Sequence, residues 1–331
     1  MKNFVTLFVL CALPMAMFSQ TPSIDYRKVF IPQDTLHFKS DELSGAMEFA
    51  SSGSGGLFVL DHLRNQVYKF DEQLNLLNSF GRNGKGPGEF TKASDIYYDN
   101  NRVYILDSRQ LRVSIFQENG DFLKSFLVDE RATDMIVFDG QVCIHPGGII
   151  PPKGKQINCY SEESGEKIRS FSTPSDEISG KFLTISNLTF NTIQKTDNHI
   201  ISLSHPIDAK IYVWDLEGKL INQFMVDNEI FFQPSFPKNY SPAAGPLNEY
   251  TTATISSVFA DENEIRVIYI ENGTGVKFCY LYDYEGNQIN EKPIDFEKRY
   301  ITYQTSDGNL ISVSYTEDKS GLVLNTFKKA N

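Results

Sequence analysis

Short runs of alternating apolar and polar residues, broken by Asp, Asn and Gly turns, recur along the chain from Tyr26 to Phe327. A side-chain period of two over such lengths predicts β-strands. The runs also repeat as a group. Phe58-Val59-Leu60-Asp61, Val67-Tyr68-Lys69-Phe70 and Leu77-Asn78-Ser79-Phe80 are matched 46 residues later by Tyr104-Ile105-Leu106-Asp107, Val113-Ser114-Ile115-Phe116 and Leu123-Lys124-Ser125-Phe126. The aromatic-to-glycine step Phe116-xxx-Gly120 returns as Trp214-xxx-Gly218 and Tyr282-xxx-Gly286, and with one inserted residue as Tyr160-xxxx-Gly165. Glycine in such a turn supplies the positive φ that joins antiparallel strands.

Two further alternating runs precede each such pair, so the unit is four antiparallel strands, a to d from inside outward. Tandem four-stranded units of roughly 40–50 residues predict a β-propeller, in which each blade buries its faces against its neighbours. Blades end near Phe80, Phe126, Phe171, Phe224 and Ile294, and Tyr300 to Phe327 supplies three strands of a sixth. The extended, alternating segment Tyr26 to Phe38 is available as the missing outer strand. Closing the ring with both termini removes exposed sheet edges. The prediction is an all-β, six-bladed propeller formed as a single domain by residues 20–331.

Composition agrees. Only 12 Ala stand against 25 Phe and 16 Tyr, which favours strands over a helical bundle. A net charge of −11 argues against a nucleic-acid partner, which requires a concentrated basic face. Met1-Lys2-Asn3, the apolar run Phe4 to Leu13 and the tail to Ser19 read as a signal peptide over residues 1–19, so the protein is expected to be exported, periplasmic or extracellular. Cys11 lies inside the apolar run without a small residue before it, and lipid anchoring is not expected. No segment approaches the ~20 apolar residues of a transmembrane span. Cys143, Cys159 and Cys279 leave at least one free thiol beyond Cys11. Cys143 and Cys159 fall at roughly opposed positions on neighbouring strands, where a bridge is geometrically possible; burial as small apolar side chains is the reading preferred from sequence.

The segment Gly81-Arg-Asn-Gly84-Lys-Gly86-Pro-Gly88-Glu-Phe90, then Asp95-Ile96, Val103 to Asp107 and Arg112 to Phe116, resembles an NHL-type repeat. The chain is similar to secreted six-bladed propellers of the NHL-repeat/TolB-like type common in Bacteroidetes. The resemblance is specific over residues 57–126 and implies the fold rather than a chemistry.

Candidate chemistry is sparse. The glycine run 81–88 lacks the order and following helix of a P-loop and reads as the crossover between blades. Asp61 and Asp107 close strand b in matching blades, where a short carboxylate bonds the turn backbone. The histidines His37, His62, His145, His199 and His205 show no zinc spacing and read as packed or solvated. Ala46-Met-Glu48, Ala93-Ser-Asp95 and Ala132-Thr-Asp134 place a carboxyl early in three successive inner strands. Converging at one channel mouth, Glu48, Asp95 and Asp134 would offer oxygen ligands to calcium. The long loops all fall on the face where strands a begin. One of them, 227–250, carries Phe231, Phe232, Phe236 and Tyr240 for stacking on a partner. The expectation is a monomeric, non-catalytic extracytoplasmic propeller that binds a protein, small-molecule or glycan ligand through this face. The alternative is a cation-dependent channel enzyme of the lactonase or lyase propeller type.

Overall fold

A computed structural model describes residues 22–39, 43, 47–53, 55–73, 75–147, 155–172, 192–204, 209–226, 253–271, 274–297, 299–305, 308–316 and 321–330. They form six sheets. Blade I comprises Met47–Ser51, Leu57–Asp61, Gln66–Phe70 and Leu76–Phe80; blade II comprises Ala93–Asp99, Arg102–Asp107, Arg112–Gln117 and Phe122–Leu127. Blade III runs through Asp134–Phe138, Gln141–His145, Ile157–Ser161 and Lys167–Phe171, and blade IV through Ile193–Lys195, Ile200–Leu203, Lys210–Trp214 and Leu220–Met225. Blade V contains Ala253–Ala260, Ile265–Glu271, Lys277–Tyr282 and the two-residue outer strand Ile294–Asp295. Blade VI contains Tyr300–Gln304, Leu310–Tyr315 and Gly321–Lys329, and its outer strand is Phe30–Lys39 from the other end of the chain. That antiparallel pairing, from Phe30 opposite Lys329 to Lys39 opposite Gly321, is the closure read from the sequence. Ile24–Asp25 adds a parallel strand beside Ile294–Asp295, which the alternation did not reveal.

The core follows from the alternation. The second and third strands of each blade send apolar side chains to both of its faces, and six apolar clusters fill the six gaps between blades. Phe58, Leu60 and Val67 of blade I meet Ile96, Val103 and Ile105 of blade II. The ring shuts where Ile311, Val313 and Leu324 of blade VI meet Phe49, Val59 and Tyr68 of blade I. The repeating glycine has a packing reason as well as a turn reason. Gly120 has φ +92°, and a Cβ there would stand 2.7 Å from Cδ1 of Phe80 in the preceding blade. Gly165, Gly218 and Gly286 sit the same way on Phe126, Phe171 and Phe224.

Cys143 and Cys159 face each other across strands b and c of blade III and form a disulfide, correcting the preference for simple burial. Directly opposed positions bring the Cβ atoms close enough to bridge. Cys279 is free and buried, and burial pushes its thiol up to about 12. The glycine run is a crossover as expected. Gly84 donates to the Phe90 carbonyl at 2.9 Å, and the Glu89 carboxylate accepts from Gly86 N at 2.8 Å. The expected signal peptide lies outside the described residues, and among them no helix is long and apolar enough to cross a membrane.

Candidate functional site

Strand register puts the three candidate carboxyls at one level of the channel. Glu48 lies opposite Leu60 and Asp95 opposite Leu106, which are matching repeat positions; Asp134 lies opposite His145, the corresponding residue of blade III. In blade II a bulge between Ala93 and Asp95 restores this level. Their environments differ. Asp95 spans two blades, accepting from Ile96 N at 2.7 Å and from Met135 N at 2.6 Å. Asp134 Oδ2 accepts from the Thr192 hydroxyl at 2.6 Å, and that hydroxyl lies 2.8 Å from Nδ1 of buried His145. Glu48 is 6% exposed. It accepts no hydrogen bond from any described residue.

Burial is the first cause raising the Glu48 carboxyl well above its ordinary range, followed by the negative charge of Asp95 and then of Asp134. Burial, then Asp134, raises Asp95 in the same way, against two backbone hydrogen bonds that lower it. The three groups therefore share one field. Among the described residues no group of three His, Cys, Asp or Glu is placed to hold a single metal ion.

Above the carboxyls runs a cavity of about 350 Å³. All six inner strands line it, through residues such as Phe49, Tyr97, Met135, Gln194, Ala260 and Tyr303. Asp95 and Asp134 are at its inner end, while Ser51, Asp197, Glu262 and Thr305 are at the ends of strands a or in the turns that follow. Exposure changes along that axis. Glu48, Asp134, Thr192, Thr254 and Thr302 are buried, whereas Asp197 and Glu262 are exposed. The cavity thus opens on the a–b turn face. Phe231, Phe232, Phe236 and Tyr240 lie outside the described residues.

Sequence reading missed the walls. Tyr97 and Tyr303 read as strand formers, yet both line the channel. Burial is the main cause raising the Tyr97 hydroxyl, with Tyr303, Asp99 and Asp95 adding to it. Lys195 is the one cationic side chain lining the cavity among the described residues, and its ammonium lies 5.8 Å from the Phe138 ring centroid. The only available signal was position, an aromatic two residues beyond the Asp95 carboxyl. Two of the histidines are packed: His62 Nδ1 lies 2.7 Å from the Ala93 carbonyl, and His199 packs on Tyr284 with centroids 4.6 Å apart.

A carboxyl held up by burial has a definite stability signature. The folded state keeps a proton that the unfolded chain has released, so stability falls as pH rises from the ordinary carboxylate range through the folded value. Glu48→Gln removes that loss while keeping the shape. The variant is expected to gain on the wild type as pH rises from 5 to 8, by about 1.4 kcal/mol for each pKa unit of elevation. Thermal unfolding at both pH values checks it; parallel pH dependence in the two proteins would contradict a buried, elevated Glu48.

The ring of four-stranded blades around a lined channel defines a six-bladed propeller. Residues 43–239 match the DUF5128 family, described as a six-bladed β-propeller, and the chain belongs to that family. No curated protein sequence matches it. Among solved structures it is similar to a Bacteroides fragilis protein described as exported, with TM-score 0.67 and 14% identity over 94% of this chain and 98% of that one. It is also similar to a DUF4221 member from Bacteroides vulgatus, with TM-score 0.68 and 13% identity over 91% and 98%. Virginiamycin B lyase from Staphylococcus aureus aligns at TM-score 0.52 and 10% identity over 90% and 99%. At these identities the likeness is one of fold.

Proposed function

We propose that this protein is a non-catalytic, extracytoplasmic binding propeller of the NHL/TolB-like type that takes a small ligand into its central channel from the a–b turn face. One observation carries the reading: the cavity of about 350 Å³ lined by all six blades. That size is at the lower end for small-molecule sites, and the lining sets aromatic side chains such as Phe49, Tyr97 and Tyr303 among a majority of polar ones, including Asp95, Asp134 and Gln194. Export is supported by the basic head and apolar run of residues 1–19 and by the description of the Bacteroides fragilis neighbour. The test is native mass spectrometry with a panel of neutral saccharides, amines and carboxylates, paired with thermal unfolding. The expected result is one molecule bound per chain and a stabilisation of about 2.7 kcal/mol at a hundred times Kd. A panel that neither binds at one per chain nor raises Tm would contradict it.

A further inference from the structure

We propose that Arg266 ties the seam where the ring closes to the blade V and blade VI side of the channel mouth, so that the closing strands and that side of the mouth open as one unit.

The first support is where the charge sits. Arg266 lies opposite Phe259 and Leu281, which fill the gap between blades V and VI, and it is 1% exposed. A guanidinium taken out of water is costly unless its N–H groups find acceptors. Nε donates to Glu264 at 2.8 Å, Nη1 to Gln304 Oε1 at 2.6 Å and to the Gly308 carbonyl at 3.3 Å, and Nη2 to Asp261. These acceptors stand on the a–b turns of both blades and at the end of the blade VI inner strand. Neither turn can move away without leaving a buried donor unmatched.

The second support is the seam. Phe30 and Lys329 face each other as the end rung of the two closing strands. Both touch the Arg266 network. The guanidinium carbon lies 6.0 Å from the Phe30 ring centroid, an attraction to the ring's quadrupole. The Lys329 ammonium donates to Glu264 Oε2, while Arg266 holds the other oxygen of that carboxylate.

The third support is the mouth itself. Asp261, Glu262, Gln304 and Thr305 line the cavity. Gln304 Nε2 also donates to the Ala260 carbonyl at 2.8 Å, and Glu262 accepts from Asp197 N at 2.7 Å, which carries the contact on to blade IV. Release of the end rung takes the ring from the guanidinium and the ammonium from Glu264. The Asp261–Glu264 turn is then free to move away from Gln304 and Thr305. Contiguous packed and hydrogen-bonded groups of this kind carry coupling between two places in a fold.

Hydrogen exchange of the full-length, ligand-free protein, read by mass spectrometry, tests the coupling at the amides of Asp261, Thr305 and Gly308, each bonded within its turn. Lys329→Met removes the ammonium from a side chain that is 39% exposed and keeps the strand. Exchange at the three amides should rise about two- to fivefold, the span of a partly exposed ion pair, while blade II stays at the wild-type rate. Arg266→Lys keeps the charge, but a point-like ammonium with three donors cannot reach every acceptor of the fork. In that variant the amides should exchange faster from the outset, and adding Lys329→Met should raise them no further. Unchanged exchange at both turns in Lys329→Met, an equal rise in blade II, or the same increment with Arg266→Lys present would each overturn the proposal. If Arg266→Lys does not fold, Phe30→Leu weakens the same rung from the other strand. It should speed the Asp261 amide with blade II unchanged; a rise confined to blade VI would overturn the proposal. No ligand is needed, so failure here leaves the channel reading standing.

Discussion

A chain lacking residues 22–39 is expected to lose cooperative thermal unfolding and to aggregate. Phe30–Lys39 forms the outer strand of blade VI along Gly321–Lys329, and Ile24–Asp25 covers the short outer strand of blade V. Between them, Tyr26 and Phe30 are buried against Phe296 and Phe327; Tyr26 stacks on Phe296 at 5.5 Å. Removing a buried aromatic side chain alone costs about 3–5 kcal/mol. Two of them together with a strand ladder are comparable with the whole net stability of a typical domain, about 5–15 kcal/mol. The deletion also bares the edge of Gly321–Lys329, which then templates pairing with other chains. The milder Phe30→Ala should keep the fold and lose about 3–5 kcal/mol. Adding a synthetic 22–39 peptide to the truncated chain should restore a cooperative transition. A truncated protein that melts like the wild type would show that the ring does not depend on its terminal strand.

The second large effect is expected at Asp107, where replacement by Ala should cost about 3 kcal/mol or more. This fully buried carboxylate ties the crossover into blade II to the b–c turn. It accepts from Thr91 N at 2.6 Å, Arg109 N at 2.9 Å, Gln110 N at 2.8 Å and Gln110 Nε2 at 2.8 Å. Alanine leaves those donors without an acceptor. Burial raises this carboxyl, but hydrogen bonds from Thr91, Gln110 and Lys92 together outweigh it and hold it below its ordinary value. A depressed folded-state value gives stability that is present above the unfolded value and lost as pH falls through the folded one. Asp107→Asn should therefore be less stable than the wild type at neutral pH and show a smaller loss on acidification. Urea unfolding at pH 7 and pH 3 reads both effects. Equal stability of Asp107→Ala and the wild type would contradict the assigned role.

Both effects concern features visible in the amino-acid order, and the reason is repetition. Leu60 and Leu106 occupy the same rung in successive blades, so Glu48 and Asp95 opposite them could be matched before any coordinates. The aromatic-to-glycine step was visible because four blades make the same contact, glycine on the preceding blade's phenylalanine. Features made once left no such trace. The Ile24–Asp25 strand is two residues long and parallel, too short for any periodicity. The cystine depended on a register of one residue between strands b and c of blade III. The channel walls were hidden for another reason. Tyr97 and Tyr303 lie on strands whose alternation marks two blade faces, whereas lining the channel depends on how six blades are disposed around one axis. Likewise, nothing along the chain distinguishes Glu48, which lacks a donor, from Asp95, which has two.

The direction of entry is the claim most open to a single decisive measurement. Ser51 lines the cavity near its a–b turn end, and its backbone N–H donates to the Tyr303 hydroxyl at 2.8 Å. In Ser51→Cys the new thiol should react with a bulky maleimide, while Cys279 is buried and Cys143 and Cys159 are bonded to each other. Affinity for the tightest ligand of the panel is then measured before and after alkylation, with the wild type treated identically. A channel entered from this face predicts that alkylation abolishes binding to Ser51→Cys and leaves the wild type unchanged. Binding that survives alkylation of Ser51→Cys would place the ligand elsewhere and contradict the channel site.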